Sequence, residues 1–340
     1  MKAASFYGPE DIRIEEVDKP SPNEGEIIVR NKVALTCGTD VKTYVRGYPL
    51  LEPPILFGHE AAGVVEAVGE NVIKFKVGDR VVAHNSAPCN QCYYCKQGQH
   101  SMCEDLLINW GAYAEYQRIP KRIVDQNTFL IPDSVSFKSA ALTEPLSCAV
   151  YGIEESNIKL GDRVVVNGAG PIGLFFIKLA SLKGAYVIAT DMNSERLEVA
   201  KELGASATIN ISKVEDIVEA VKSLTENNRG VDVAIEAVGM PEVWENTILM
   251  ARKGGLVNLF GGPKSNTTIT TQTNLLHYSQ LTLKGIFHTT PRHVKAAFDL
   301  ITQGTITADI FVNGEYGLDE VEQAIINHKE GKVIKNAVLL

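Results

Sequence analysis

Val164-Val165-Val166-Asn167-Gly168-Ala169-Gly170-Pro171-Ile172-Gly173 is the stretch that decides how this chain folds. A short strand of the buried type runs into a G-x-G-x-x-G turn, and the apolar residues at 172–182 read as a helix. Gly168 permits the tight turn, Gly170 leaves the backbone bare where a pyrophosphate would lie, and Gly173 lets the helix close on the sheet. The helix opens at Pro171 and Ile172, so its unpaired N–H groups and the positive end of its dipole face the phosphates. A glycine fingerprint alone is weak evidence, but one set between a strand and a helix has the context that its chemistry requires. A second strand at 186–191 ends on Asp191, 18 residues past Gly173. A carboxylate there can accept hydrogen bonds from both adenosine ribose hydroxyls and repel a 2′-phosphate, which favours NAD over NADP. The expected cofactor contacts are Gly168, Gly170, Pro171, Ile172, Gly173 and Asp191, with Arg196 covering the adenine or paired with an acidic neighbour.

The pattern continues outward from this turn. Ser194 begins a helix with Leu197, Val199, Ala200 and Leu203 at its apolar positions and Gly204 as its stop, and further strands are expected at 231–236 and 255–260. Strands alternating with helices predict βαβ units and a doubly wound parallel sheet. Residues 1–150 have another texture, with β-branched runs at 26–33, 63–68 and 80–83 between Gly, Pro, Asn and Asp. From about Gly285 the chain changes again, to helices at 294–302 and 319–328 and a terminal strand at 333–340. At 340 residues it exceeds what one core supports. The expectation is an α/β protein of three segments: a β-rich domain at 1–150, a dinucleotide-binding domain at 151–285 and a C-terminal segment at 286–340.

Composition narrows the partners. Hydrophobic content of 45% and 22% charged residues describe a globular chain, and a net charge of −8 disfavours nucleic acid, whose phosphates demand a lysine and arginine excess. Met1 to Glu10 carries no basic lead before an apolar segment, and no apolar run reaches about 18 residues, so no membrane association is expected. A cytoplasmic location follows as an expectation. Four of the six cysteines stand at Cys89, Cys92, Cys95 and Cys103, in a C-x₂-C-x₂-C-x₇-C run whose short spacers let a loop aim its thiolates at one point. With every position filled by sulfur, such a zinc has no room for substrate and is structural. Disulfides and an iron–sulfur cluster are the competing readings; near-neighbour bridges have poor geometry, and the seven-residue last spacer departs from the bacterial iron–sulfur pattern.

Three further donors are scattered: Cys37 in Thr36-Cys37-Gly38-Thr39-Asp40, His59 in Gly58-His59-Glu60, and Glu144 in Thr143-Glu144-Pro145. Together they supply S, N and O ligands, enough for an open zinc site whose fourth position is left to water or substrate. Taken with the four-cysteine lobe, Glu144-Pro145-Leu146, the glycine fingerprint and Asp191, these motifs resemble zinc-dependent medium-chain alcohol and polyol dehydrogenases nearly from end to end. The Glu144-Pro145 pair resembles the sorbitol and threonine dehydrogenase branches. The resemblance implies a GroES-like β-rich catalytic domain built from both chain ends, a Rossmann domain inserted between them, two zincs per chain and a homo-oligomer, tetramer or dimer. It leaves open whether Glu60 or Glu144 is the third ligand of the catalytic zinc.

The activity implied is reversible oxidation of a secondary alcohol or polyol to a ketone, with hydride transfer to NAD and zinc as Lewis acid. Thr39 resembles the first hydroxyl of the family's proton relay, and Asp40 a carboxylate bracing His59. Lys42 occupies the position where the family often has a relay histidine. Tyr44, Trp110, Phe287 and His288 are expected on the substrate rim, and Cys148 in packing. Oxidation of L-threonine at its hydroxyl is one alternative. A zinc-free quinone or enoyl reductase on the same scaffold is another, although it would not need Cys37, His59, Glu144 or the thiolate lobe.

Overall fold

Val164, Val165 and Val166 are fully buried, as residues must be in a strand covered on both faces. They form Arg163–Asn167, the inner strand of a six-stranded sheet in the computed structural model, which describes residues 1–48 and 51–340. In spatial order the sheet runs Ala207–Asn210, Tyr186–Asp191, Arg163–Asn167, Val231–Glu236, Ala251–Leu259 and Thr282–Gly285, with every neighbouring pair parallel. Numbered along the chain, this order is 3-2-1-4-5-6, the doubly wound arrangement that opens a crevice where the order reverses. That reversal falls beside Arg163–Asn167, so the glycine turn leaving this strand sits at the crevice. Val165, Ile188, Ile209, Val218, Val221 and Val257 pack into one apolar core. Each such side chain contributes about 1.5–3 kcal/mol by leaving water.

The chain divides into two compact units, Cys148–His288 and the combination of Met1–Ser147 with Thr289–Leu340. The second unit is built around a mixed sheet ordered Thr128–Leu130, Arg80–Ala83, Ala61–Val68, Ile27–Leu35, Lys335–Leu339 and Val312–Gly317, with Tyr116–Ile119 also pairing to Ile27–Leu35. The C-terminal strand Lys335–Leu339 thus enters the middle of the N-terminal sheet, antiparallel to Ile27–Leu35 and parallel to Val312–Gly317. Phe6, Phe57, Tyr113, Val321, Ile325 and Val338 form one core from both chain ends.

Most expected elements fall within a few residues of their observed bounds. The strand expected at 255–260 is Ala251–Leu259; its first half, Arg252-Lys253-Gly254-Gly255, lies outside the apolar run, and its pairing with Val231–Glu236 is irregular there, between Val231 and Val233. The helix expected at 319–328 is a 3₁₀ turn, Leu318–Glu320, followed by Val321–Lys329. Strands Lys2–Gly8, Asp11–Glu16 and Val312–Gly317 and the helix Gly38–Arg46 went unread, the last because its run is short and mostly polar.

Candidate metal and cofactor sites

Sheet register gathers the first set of donors. Ile27–Leu35 pairs with Ala61–Val68 on one side and Lys335–Leu339 on the other. Cys37 therefore leaves the end of one strand beside His59 and Glu60, which lead into the next. One ligand atom each from Cys37, His59 and Glu60 lie within 4.8 Å of one another. Cys37 caps the helix Gly38–Arg46: Thr39 N–H donates to its Sγ (3.4 Å), while its own N–H donates to Asp40 Oδ2 (2.9 Å). Gly58 holds φ +83, and a Cβ there would meet the Tyr113 ring at 2.5 Å, so only glycine turns the chain into His59 at this spot.

Asp40 is fully buried and fixes the imidazole. Its Oδ1 lies 3.1 Å from His59 Nδ1, its Oδ2 accepts from the Tyr113 hydroxyl (2.7 Å), and Trp110 packs edge-on to the His59 ring at 5.5 Å. With Nδ1 turned to Asp40, Nε2 is the nitrogen left for a ligand. Burial disfavours the imidazolium, yet Asp40 and Cys37 together raise His59 well above its ordinary value. Burial would likewise lift Asp40, but the His59 ring, the Tyr113 hydroxyl and the Cys37 N–H hold it below the usual carboxylate range. A metal taken up here would displace the histidine proton.

The carboxylates separate. Glu60 belongs to the three-donor set and Glu144 does not. Glu144 sits in the first turn of the helix Thr143–Glu155, with Oε1 3.9 Å from His84 Nε2. The carboxylate that closes with Cys37 and His59 comes from the residue adjacent to His59, which the backbone pairing of Leu35 to Glu60 holds at the same strand end. Burial pushes Glu144 up to about 7, opposed by His59 and assisted by Glu60. Burial also raises Glu60, against the pull of Lys335.

Tyr44 does not line a rim. It is buried among Phe6, Phe57 and Ile325, and its hydroxyl donates to Glu322 Oε1 (2.8 Å), because its face of the helix Gly38–Arg46 packs on the helix Val321–Lys329. Trp110 does lie against His59, Thr39 is partly exposed, and Lys42 follows on the same helix. Phe287 is half exposed and His288 adopts φ +64, both in the unit Cys148–His288. Cys148 lies in the helix Thr143–Glu155 and is partly exposed.

The four lobe cysteines converge as well. Their sulfurs all lie within 4.8 Å of one another, and none is in a disulfide. Cys92 Sγ and Cys103 Sγ are 4.0 Å apart, far beyond a bonded pair but close to the roughly 3.8 Å that separates sulfurs placed 2.3 Å from a tetrahedral centre. Backbone N–H groups point at these sulfurs, from Cys89 to Cys103 Sγ (3.2 Å) and from Cys92 to Cys89 Sγ (3.3 Å). Such donors suit thiolates.

At the crevice, Gly168 has φ +97 and Gly170 caps the helix Pro171–Leu182, whose first residue is proline. A Cβ on Gly173 would sit 1.8 Å from Gly168 O, whereas one on Gly170 would meet nothing within 4 Å. The tight contact is needed by the fold, and the open space is where a ligand would approach. Asp191 is already engaged: Ala169 N–H donates to Oδ2 (2.7 Å) and Asn193 N–H to Oδ1 (2.8 Å). A carboxylate has about four acceptor sites, so capacity remains for ribose hydroxyls. Ile172 and Arg196 are partly exposed, Arg196 on the helix Ser194–Glu202.

Three residues near the donors escaped the sequence. Tyr113 orients Asp40, His84 stands beside Glu144 with its Nε2 3.2 Å from Ser147 Oγ, and the buried Lys335 pairs with Glu60. Lone residues in strands and loops give no spacing signal. A lysine within a mostly apolar terminal strand was the one available hint.

Comparison with known proteins agrees with this geometry. Residues 171–303 match the zinc-binding dehydrogenase family, and residues 23–132 match the alcohol dehydrogenase GroES-like domain. Sorbitol dehydrogenase of Bacillus subtilis (strain 168) is 33% identical over 96% of this chain and 92% of its own. L-Threonine 3-dehydrogenase of Pyrococcus horikoshii is 34% identical over 100% and 97%. A Sinorhizobium meliloti 1021 structure bound to NADP superposes with a TM-score of 0.93 at 29% identity, over 100% of this chain and 99% of that one. Likeness of this extent, carried through both units and agreeing with the two donor sets, makes the chain a member of the zinc-dependent medium-chain alcohol and polyol dehydrogenase family.

Proposed function

We propose that this enzyme oxidises a secondary alcohol or polyol reversibly to a ketone, using NAD. The observation that carries the reading is the meeting of a partly buried Cys37 with the buried His59 and Glu60, a three-ligand S, N, O set of the kind that leaves a fourth position open. These residues would hold the catalytic zinc, and the four lobe cysteines a structural one. Zinc, when bound, supplies Lewis-acid polarisation of a substrate oxygen, and the nicotinamide supplies the hydride acceptor.

The chain's own residues do the rest. Asp40 holds the His59 ring in one orientation, Tyr113 holds Asp40, and Trp110 walls one side of the histidine. Thr39 accepts the alcohol proton while passing its own hydroxyl proton to water, which carries it onward. Asp191 selects NAD over NADP through the ribose hydroxyls, with Gly168, Gly170, Pro171, Ile172 and Gly173 at the pyrophosphate and Arg196 at the adenine.

A panel of sugar alcohols, cyclitols, simple secondary alcohols and L-threonine, each with NAD and with NADP, tests the reading. Polyols or secondary alcohols should turn over best with NAD. A clear preference for L-threonine, the substrate named for the Pyrococcus horikoshii relative, would transfer the assignment to that branch. Among the described residues no helix is long and apolar enough to cross a membrane. Family likeness supports a cytoplasmic homo-oligomer, dimer or tetramer, which sedimentation would read directly.

A further inference from the structure

The junction of three strands that gathers Cys37, His59 and Glu60 also delivers a cation. Lys335 opens the strand Lys335–Leu339, and its Nζ lies 2.9 Å from Glu60 Oε1 and 2.8 Å from Oε2. The two side chains are 1% and 0% exposed. A lysine enters a core only with its charge matched, and here one ammonium engages both oxygens of one carboxylate. Its position is set by backbone pairing: Asn336 O accepts from Thr36 N (3.0 Å), Asn336 N donates to Thr36 Oγ1 (2.9 Å), and Ala337 faces Leu35. The strand that presents Cys37 therefore also fixes Lys335.

Glu60 consequently has two claimants. Its carboxylate lies within 4.8 Å of the Cys37 and His59 donor atoms, so a metal in that set and the Lys335 ammonium would share it, and the two cations repel each other. A carboxylate whose Oε1 accepts from an ammonium, with that charge also close to Oε2, gives less electron density to a metal. We propose that Lys335 is a positioning residue that acts through Glu60, limiting how tightly Glu60 holds the catalytic metal and so keeping that metal electrophilic. The inference rests on the assignment of Cys37, His59 and Glu60 as a metal site.

The test uses the full-length zinc-loaded protein and three variants, Lys335→Met, Lys335→Gln and Lys335→Arg. Competition with a chelator is followed for the second zinc, the one that His59→Ala should lack. Removing the charge should tighten that zinc about tenfold, equivalent to about 1.4 kcal/mol, in both the Met and Gln variants. Turnover should fall about tenfold in kcat with KM changed less than about threefold, and Lys335→Arg should return both readouts to within about threefold of the parent. Zinc held equally or more weakly by the Met and Gln variants overturns the proposal. So does failure of both to fold with zinc present, because the metal should replace Lys335 as the counter-ion of Glu60. If the parent protein itself binds zinc only at the cysteine lobe, the metal site is wrong and the inference goes with it.

Discussion

Two alanines placed three residues apart should separate folding from cofactor binding. At Gly173 a Cβ would stand 1.8 Å from Gly168 O and 2.9 Å from Gly168 C, both backbone atoms that cannot step aside. Gly173→Ala must therefore push the helix off the turn, at a cost of about 3 kcal/mol, the upper end of typical overpacking. That corresponds to a fall in Tm of about 6–12 °C for a unit of this size. At Gly170 a Cβ would meet nothing within 4 Å, and φ −72 with ψ −179 suits any L-residue. Gly170→Ala exchanges a tolerated cap for a poorer one while stiffening the unfolded chain, and the two effects offset to within about 1 kcal/mol. Its methyl nevertheless occupies the approach of the pyrophosphate, so NADH affinity should drop about tenfold or more, at least about 1.4 kcal/mol. Thermal unfolding followed by circular dichroism and NADH titration followed by fluorescence read the two effects. Should Gly170→Ala be as unstable as Gly173→Ala, or bind NADH within twofold of the parent, the turn does not cradle a dinucleotide.

Cys95→Ser should release the lobe zinc and lower Tm, because a closed thiolate site orders its loop; a variant of unchanged Tm that still retains that metal excludes a structural zinc. Asp191→Ser should weaken NAD and narrow its advantage over NADP in steady-state kinetics, and a parent enzyme that already prefers NADP would remove the role given to Asp191. Burial would raise Asp232, but the Arg163 N–H and the Arg252 guanidinium hold it below the usual carboxylate range. That stabilisation is present above the unfolded value near 3.9 and is lost as pH falls through the lower folded value. Asp232→Asn should therefore be less stable than the parent at pH 7 and lose that deficit in acid; a deficit that stays constant down to about pH 2 would deny the ion pair its part.

What the sequence disclosed was local. The valine run at 164–166, the glycine turn and Asp191 read as one βαβ unit because period and punctuation agreed over a few dozen residues. The lobe was legible from spacing alone. Cys37, His59 and the two glutamates were visible as chemistry without geometry: both carboxylates were suitable donors, and only the pairing of Leu35 with Glu60 shows how Cys37 comes to lie beside the His59-Glu60 pair. Lys335 is 275 residues from Glu60, and Tyr113 is 73 from Asp40. Contacts that long are created by strand order, which periodicity does not encode. Tyr44 misled for a related reason, since a polar tip on a short helix reads equally well as rim or as core until its partner, Glu322, is known.

Metal analysis of the full-length protein beside His59→Ala, with turnover and NAD affinity measured on the same samples, tests the catalytic-metal assignment most directly. The parent should hold two zincs per chain and form NADH from a secondary alcohol or polyol. His59→Ala should keep one zinc, bind NAD as before and lose turnover. A parent with a single zinc, or a His59→Ala variant that keeps both its zincs and its activity, would contradict the assignment of Cys37, His59 and Glu60.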